Sequence, residues 1–357
     1  MNLPLLTISA RYGWMTQQSR FSASIAGREK KNYTLLKKHQ LSYNHGNSKV
    51  ANYGTVYELT DYDEALVPKV YHSFSLTSEN SSKFIESYFH TKKLDAQLRK
   101  FIASTARMDG LLNISFDDFM KVKLFAPERC EQSKISRIIN LIEKLITLQQ
   151  RKMEQLKQLK KAMLQQLFVN KNNKQPILKF KNFRNNWREY KLSEIVNLED
   201  NKRKPVKATE RIRGKIPYYG ANGIQDYVKG YTHIGKHVLI AEDGANSVDD
   251  YPIYFIYSPS WINNHTHVLT AKEEILSSEF LAYALKKINY AKYLVGSGRY
   301  KLNAEILKLI PLKIPTMNEQ KYIESNLSKI DKLIALQQNK LTQLTALKKY
   351  LLQKLFI

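Results

Sequence analysis

The sequence predicts an α+β protein made of two pseudo-symmetric repeats, each a mixed α/β body followed by a long helix. Residues 131–169 recur at 319–357 with a constant offset of 188, and 20 of the 39 aligned positions are identical. The same offset aligns Pro127 with Pro315 just before each helix. An internal duplication of this kind predicts a pseudo-twofold arrangement.

The repeated segment has the heptad pattern of a coiled coil. Its apolar positions are Ile135, Ile138, Ile142, Leu145, Leu156, Leu159 and Met163 in the first copy and Ile323, Ile330, Leu333, Leu344, Leu347 and Leu351 in the second. A helix of this length extends roughly 58 Å, more than one body can cover, so we expect the two helices to pair as an antiparallel coiled coil. Gln149 and Gln337 occupy equivalent positions in this seam. They either meet at the centre and fix the register or face water at a gap, and the sequence leaves both alternatives open.

The bodies combine strand signals such as YPIYFIY, from Tyr251, with amphipathic helical stretches such as residues 81–101. Thr316 and Glu319 have the spacing of a helix capping box. Pro4 aligns with the region of Pro217, so we expect the first body to lack the counterpart of the start of the second. The predicted divisions are a first body at 1–129, a helix at 130–169, a polar linker at 170–179, a second body at 180–316 and a second helix at 317–357.

Charge points to a polyanionic ligand. The chain has 57 Lys and Arg against 32 Asp and Glu, a formal charge of +25, and a pI of about 9.7. Nucleic acid is the favoured partner, and a basic protein without such a ligand is the alternative. The single Cys130 excludes a disulfide framework and a multi-cysteine zinc site, and no apolar run is long enough to span a membrane, so we expect a cytoplasmic location.

Motifs for catalysis are absent from the sequence. GYTHIGKH has the spacing of a phosphate loop, but His237 stands where Ser or Thr would hold magnesium. His265 and His267 have no cysteine and no carboxylate near them in sequence, so strand packing is favoured over metal binding. The sequence contains no nucleophile elbow, zincin motif, dinucleotide fingerprint or amino-methylase tetrad, so we expect no catalytic residue and no metal.

Side chains that suit DNA are concentrated in predicted turns, many of them beside glycines. Arg and Lys reach phosphates or guanine edges, and Asn and Gln read adenine. For each residue alone, a solvated surface role is the alternative. The candidates are Arg11, Tyr12, Gln17, Gln18, Arg20, Lys30, Lys31, Asn44, Asn47 and Arg107 in the first body, and Lys202, Arg203, Lys204, Tyr218, Tyr219, Asn222, Asn246, Arg299 and Lys301 in the second.

These features together resemble the specificity subunit of type I restriction-modification systems. The resemblance is carried by the proline followed by Glu-Gln at the start of each repeated helix, and by LQQLFV and LQKLFI near the helix ends. YYGANGI from Tyr218, IAEDGA from Ile240, and GSGRYKLN before the second helix add to it. It covers nearly the whole chain and is more specific in the helices than in the bodies.

The resemblance implies two target-recognition domains that read the halves of a bipartite DNA site. It implies two modification subunits that bind S-adenosylmethionine and methylate adenine, and two restriction subunits that use ATP and magnesium, with no cofactor on this chain. The shortened first body departs from the family pattern, and we expect it to have impaired DNA affinity. The alternatives are a stand-alone nucleic-acid-binding scaffold that dimerises through its helices and a nuclease with an unrecognised site.

Overall fold

The structure, a computed structural model, describes residues 3–21, 33–46, 48, 50–77, 79–103, 111–169, 173–296 and 300–356. Internal contacts divide the chain into two units, each of which contains part of both long helices. Unit 1 comprises residues 1–151 and 338–357, and unit 2 comprises residues 152–337. No helix in the described residues is both long and apolar enough to cross a membrane.

Unit 1 is built from short antiparallel sheets and small helices. β4 pairs with β5 and β7, β3 pairs with β6, and β1 pairs with β2. The elements are β1 Leu6–Ser9, β2 Gly13–Thr16, α1 Gln17–Phe21, β3 Tyr33–Lys37, β4 Leu41–Asn44, β5 Thr55–Glu58, β6 Glu64–Pro68, β7 His72–Phe74, α2 Ser82–His90, α3 Asp95–Phe101, α4 Phe116–Phe119 and the first part of α5 Arg129–Leu167.

Unit 2 has a four-stranded antiparallel sheet, a three-stranded sheet and a two-stranded sheet. Their orders are β13-β12-β15-β9, β11-β10-β14 and β16-β8. The elements are β8 Arg188–Lys191, α6 Leu192–Ile195, β9 Val196–Leu198, β10 Arg213–Gly220, β11 Gly223–Val228, β12 Lys236–Ala241, β13 Ile253–Tyr257, β14 Trp261–Ile262, β15 Thr266–Ala271, α7 Ser278–Leu285, α8 Ala304–Leu309, β16 Pro311–Ile314 and most of α9 Met317–Lys354, with 3-10 turns at Asp200–Lys202, Ala208–Glu210 and Tyr290–Lys292. The predicted α+β class is confirmed.

Equivalent ion pairs join the long helices inside each unit. In unit 1 Glu143 of α5 lies 2.8 Å from Lys348 of α9, and in unit 2 Lys160 of α5 bonds to Asp331 of α9. The repeat offset of 188 aligns Glu143 with Asp331 and Lys160 with Lys348, so the same two positions of the repeat form the ion pair in each unit. The duplication is therefore preserved in contacts as well as in sequence. Pairing over the full helix length as a coiled coil stays a prediction.

The buried stripe of each helix differs from the predicted heptads. Ile135 and Ile142 are buried in α5, and Ile323 and Ile330 in α9, as expected. The prediction was wrong for Ile138, Leu145, Leu159, Leu333 and Leu347, which are between 43% and 49% exposed. Ile139 and Leu327 complete the buried stripes instead, because the first part of each helix packs its wider apolar face on its own body. The side-chain oxygens of Gln149 and Gln337 are buried without a partner among the described atoms, which argues against a fully water-facing position.

A glutamine clamps the start of each long helix to the body before it. In unit 1 Gln132 Oε1 accepts from the Ser81 N–H at 3.0 Å, and its Nε2 donates to the Pro127 carbonyl at 2.8 Å. In unit 2 Gln320 Oε1 accepts from the Ser277 N–H at 2.9 Å, and its Nε2 donates to the Pro315 carbonyl at 3.0 Å. The clamp gives the repeated Pro-x4-Gln spacing a physical cause.

A phenylalanine near the end of each repeat stacks on the body that receives it. Phe356 stacks on Phe84 in unit 1 with ring centroids 4.9 Å apart, and Phe168 stacks on Phe280 in unit 2 at 5.3 Å. Both rings at the helix ends are nearly fully buried. The repeated Leu-Phe near the helix ends is therefore an anchor between helix and body.

The glutamate before each clamp differs between the units. Glu319 is buried, and its Oε1 accepts from the Trp187 indole N–H at 3.3 Å while Oε2 has no partner. The predicted capping box with Thr316 is therefore wrong. Glu131, at the same repeat position, is exposed. Burial raises the pKa of Glu319 above its ordinary value, and the bond from Trp187 and the charge of Lys179 oppose that rise only in part.

Replacing Gln320 with Ala should destabilise unit 2, because the Ser277 N–H and the Ile275 and Pro315 carbonyls all lose their partner. We expect a loss of about 3 kcal/mol in the free energy of unfolding. Urea unfolding in a Trp14→Phe background, which leaves Trp187 and Trp261 in unit 2 as reporters, measures it. Gln338→Ala, at an exposed position of the same helix, is the control. Equal midpoints for the two variants would contradict the clamp.

Glu319→Gln should make unit 2 more stable at neutral pH. A carboxyl with a raised pKa in the folded state binds its proton more tightly there than in the unfolded chain. The stability that the Glu319 carboxyl contributes to the folded state is therefore fully present below the ordinary pKa of 4.5. It declines as pH rises through the raised pKa. Gln keeps the acceptor for Trp187 without this dependence, so the advantage of the variant should grow from pH 4.5 upward. Glu131→Gln, the exposed repeat counterpart, should change nothing, and parallel pH profiles for wild type and Glu319→Gln would refute the assignment.

Candidate nucleic-acid interface

Four loops of unit 2 are held together by hydrogen bonds and ion pairs at residues 199–204, 220–223, 242–246 and 300–302. We call them the loop cluster. Its glycines fit the local backbone: Gly223 and Gly244 have φ of +101° and +70°, in the left-handed region that favours glycine. The cluster lies at the ends of β10 and β12 and beside β15.

Asn222 ties two of these loops together. Its Nδ2 donates to the Gly244 carbonyl at 2.9 Å, and its Oδ1 accepts from the Asn246 N–H at 2.9 Å. Both ends of the Asn222 amide are therefore used inside the protein. Asn246 is exposed at the surface of the same loop.

Arg203 is the centre of a charge network beneath the loops. Its guanidinium contacts Glu242 Oε2 at 2.7 Å and Asp200 Oδ2 at 3.3 Å, and it donates to the Thr266 carbonyl at 3.0 Å. Lys301 approaches the other oxygen of Glu242 at 3.1 Å. Desolvation opposes ionisation of Glu242, but the bonds from Arg203 and Lys301 prevail and hold its pKa below the ordinary value.

His265 and His267 are paired with carboxylates distant in sequence. His265 bonds to Asp243, and His267 Nδ1 lies 2.5 Å from Asp200 Oδ2 while its Nε2 lies 2.7 Å from the Leu302 carbonyl. Neither carboxylate is near its histidine in sequence, and folding brings Asp243 to His265 across 22 positions and Asp200 to His267 across 67. The histidines thus act as hydrogen-bonded links between strands and loops.

Two groups of side chains are close enough to bracket a metal ion in the described residues: Asp200, Glu242 and His267 in unit 2, and Glu86, His90 and Glu143 in unit 1. In both groups lysine or arginine already neutralises the carboxylates. Arg203 and Lys301 do so in unit 2, and Lys83 and Lys348 do so in unit 1. The donor sets therefore fit salt-bridge networks better than metal centres.

The structure separates the predicted DNA-binding residues of unit 2 into exposed and internal ones. Lys202, Lys204, Asn222, Asn246 and Lys301 are exposed. Arg203 is held in the charge network. Tyr218 is buried, with Arg211 over its ring at 4.1 Å, and Tyr219 packs against an apolar cluster beside Tyr254.

In unit 1 the exposed candidates lie around β1, β2 and α1. Arg11 and Tyr12 occupy the turn between the strands, where Tyr12 is 68% exposed, and Gln18 and Arg20 are exposed on α1. Two other candidates are used internally. Gln17 is buried with its Nε2 donating to the Tyr33 hydroxyl, and Asn44 donates to the Ile8 carbonyl while accepting from the Gly46 N–H. Lys30, Lys31, Asn47, Arg107 and Arg299 lie outside the described residues.

Sequence reasoning missed the acidic side of the loop cluster, formed by Asp200, Glu242 and Asp243. IAEDGA was noted as a motif, yet the partners of its two carboxylates lie on other strands and loops, so no local pattern could reveal them. It also missed Trp261, whose indole N–H donates to the Lys204 carbonyl at 2.7 Å and fixes the backbone beside an exposed lysine.

Comparisons with known proteins agree with a DNA-binding surface on unit 2. Residues 184–346 match the type I restriction modification DNA specificity domain. A Haemophilus influenzae protein named as a type I restriction enzyme specificity subunit, S.HindORF215P, is 48% identical over 129 residues, covering 36% of this chain and 33% of its own length. The MjaVIII specificity subunit of Methanocaldococcus jannaschii is 23% identical over 297 residues, covering 75% of this chain and 68% of its own. The matched stretch therefore spans about a third of the Haemophilus relative.

Solved structures share the fold. The S subunit of a type I restriction-modification system from M. genitalium superposes with a TM-score of 0.68 at 19% identity, covering 92% of this chain and 85% of that one. A chain from a structure on complex assembly and conformational transition of the type I R-M system gives 0.53 at 14% identity, covering 99% and 91%. Residues 184–346 therefore match a type I restriction modification DNA specificity domain, and the chain shares the fold of the S subunit from M. genitalium.

Proposed function

We propose that the chain is the non-catalytic DNA-specificity subunit of a type I restriction-modification complex, with each unit reading one half of a bipartite site. The observation that carries the proposal is the loop cluster. Its exposed Lys202, Lys204, Asn246 and Lys301 lie on the domain that matches a DNA specificity domain. In unit 1, Arg11, Tyr12, Gln18 and Arg20 are the exposed counterparts.

The geometry divides the work between reading and positioning. Asn246 offers an exposed amide, the group that reads adenine by two hydrogen bonds in the major groove. Lys204 supplies charge for phosphates, whereas Lys202 and Lys301 are paired with Glu199 and Glu242. Asn222, Arg203 and Glu242 have their polar groups occupied inside the protein, so they position the loops and do not contact bases. A braced loop loses little conformational entropy when it meets a duplex.

The long helices supply the spacer and the docking surface of this proposal. Pairing as an antiparallel coiled coil would hold two reading units at a defined separation, as a duplex with half-sites on one face requires. Both helices carry exposed leucines at equivalent repeat positions, Leu145 with Leu333 and Leu148 with Leu336. Exposed apolar stripes of this kind suit partner helices. We assign them to two modification subunits, with two restriction subunits completing the complex.

Cofactors belong to those partners in this proposal. S-adenosylmethionine serves the modification subunits, and ATP and magnesium serve the restriction subunits. This chain contributes sequence recognition to adenine methylation and cleavage. A stand-alone scaffold that dimerises through its helices is not favoured, since the relatives are named as specificity subunits.

Mixing the chain with a modification subunit and S-adenosylmethionine should give adenine methylation at one bipartite sequence. Sequencing for methylated adenines across genomic DNA measures the site and its spacer. The modification subunit alone is the control and should methylate no specific site. Tight, sequence-independent DNA binding without methylation would favour the scaffold, and magnesium-dependent cleavage by the isolated chain would favour a nuclease.

Lys204→Ala and Arg203→Lys should separate phosphate contact from loop positioning. Lys204→Ala should weaken binding to specific and random DNA alike and reduce the salt slope of log K by about 1, leaving unfolding unchanged. Arg203→Lys cannot satisfy Glu242, Asp200 and the Thr266 carbonyl together, so it should lower stability and discrimination between sites. Electrophoretic or anisotropy titrations at several salt concentrations, paired with urea unfolding, measure both. Lys308→Ala is the control, and identical effects of the two variants would contradict the division of roles.

A further inference from the structure

The two units differ at the strand that precedes each long helix. In unit 2, β16 pairs antiparallel with β8, with Leu312 opposite Tyr190 and Ile314 opposite Arg188. The repeat offset places Lys123–Ala126 of unit 1 at the position of β16. In the described part of unit 1, residues 121–128 pair with no strand.

The register in unit 2 shows which backbone groups face β8. The Leu192 N–H donates to the Ile310 carbonyl at 3.0 Å, so the second and fourth residues after Ile310, Leu312 and Ile314, direct their N–H and C=O toward β8. Pro311, which has no N–H, falls on a residue that faces away. The equivalent residues in unit 1 are Leu124 and Ala126 for the paired positions and Lys123 for Pro311.

The opposite side of this segment is already satisfied in unit 1. Gln97 donates from Nε2 to the Lys123 carbonyl at 2.9 Å and accepts from the Lys123 N–H at 3.0 Å. Leu124 and Ala126, which alternate with Lys123, make no hydrogen bond in the described structure. The segment therefore has one bonded side and one open side, as an edge strand does.

The side chains around this open side agree with an unfilled strand position. Phe125 is 76% exposed. Glu131, whose repeat counterpart Glu319 accepts a bond from Trp187, is exposed, and so is Glu128. The carboxylates of Glu128 and Glu131 and the ring of Phe125 lie beside the unbonded backbone of Leu124 and Ala126. This combination suits an extended segment that is basic and aromatic. Trp187–Lys191 is such a segment, because it has Arg188 and Lys191 beside Trp187 and Tyr190.

We infer that the open side of Leu124–Ala126 in unit 1 is a docking site for an extended strand from a partner protein other than a second copy of this chain, with the basic and aromatic pattern of β8. The strand pairs antiparallel with Leu124 and Ala126 as β8 pairs with Leu312 and Ile314. Its tryptophan donates to Glu131. This site is independent of the DNA-reading role and is defined by the backbone register of the repeat.

A labelled peptide of residues 183–196, FRNNWREYKLSEIV, tests the site on the full-length chain by fluorescence anisotropy. We expect saturable binding of one peptide per chain. N-methylation of the residue equivalent to Tyr190 removes an N–H that faces the docking edge and should weaken binding about ten-fold. N-methylation at Glu189, which faces away, is the matched control and should leave binding within about two-fold.

Hydrogen exchange locates the bound peptide. Protection should appear at the amides of Leu124 and Ala126 and not change at Leu312 and Ile314. Glu131→Ala, which removes the acceptor, should weaken the peptide only when its tryptophan is present, so a Trp→Phe peptide should bind both forms alike. Absence of saturable binding, equal binding of the two N-methylated peptides, or protection confined to 311–314 would each overturn the inference. So would a chain that is already dimeric with Leu124 and Ala126 protected, because a second copy would then close the edge.

Discussion

The clamp made by Gln132 and Gln320 is the constraint on which the rest of the structure depends. Each glutamine holds a proline carbonyl at the start of a long helix and the N-terminal N–H of a body helix at once. A glutamine amide has an acceptor and a donor at fixed separation, so one side chain ties the start of the long helix to the start of the body helix. The stacked pairs Phe84–Phe356 and Phe168–Phe280 fix the other long helix in each unit.

The two bodies differ in their surfaces, whereas the glutamine clamps and stacked phenylalanines recur in both units. These recurring contacts use residues of the repeat at a constant offset, whereas the loop cluster of unit 2 is made of loops whose partners are distant in sequence. Arg203, Glu242 and Lys301 hold these loops from within, so the lysines and asparagine at the surface can vary without loss of the support beneath them.

The charge of the molecule also has two uses. Some of the Lys and Arg are paired internally: Lys83 and Lys348 contact Glu143, Lys160 contacts Asp331, and Arg203 contacts two carboxylates. Ion pairs of this kind, partly withdrawn from water, fix geometry more than they add stability. The exposed Lys and Arg are what a polyanion meets, and they lie along the long helices, as at Lys144 and Lys332, as well as in loops.

By itself, the sequence determined the duplication, the α+β class and the basic character, because offsets, periodicity and composition are local or additive properties. It did not determine which face of each helix is buried, since the body takes Ile139 and Leu327 into the stripe and leaves Leu145 and Leu333 in water. The sequence also did not show that Arg203 and Gln17 are bonded inside the protein while their neighbours Lys204 and Gln18 are exposed. That difference depends on which carboxylate, carbonyl or hydroxyl the tertiary fold brings within hydrogen-bond distance, and packing between distant segments decides it.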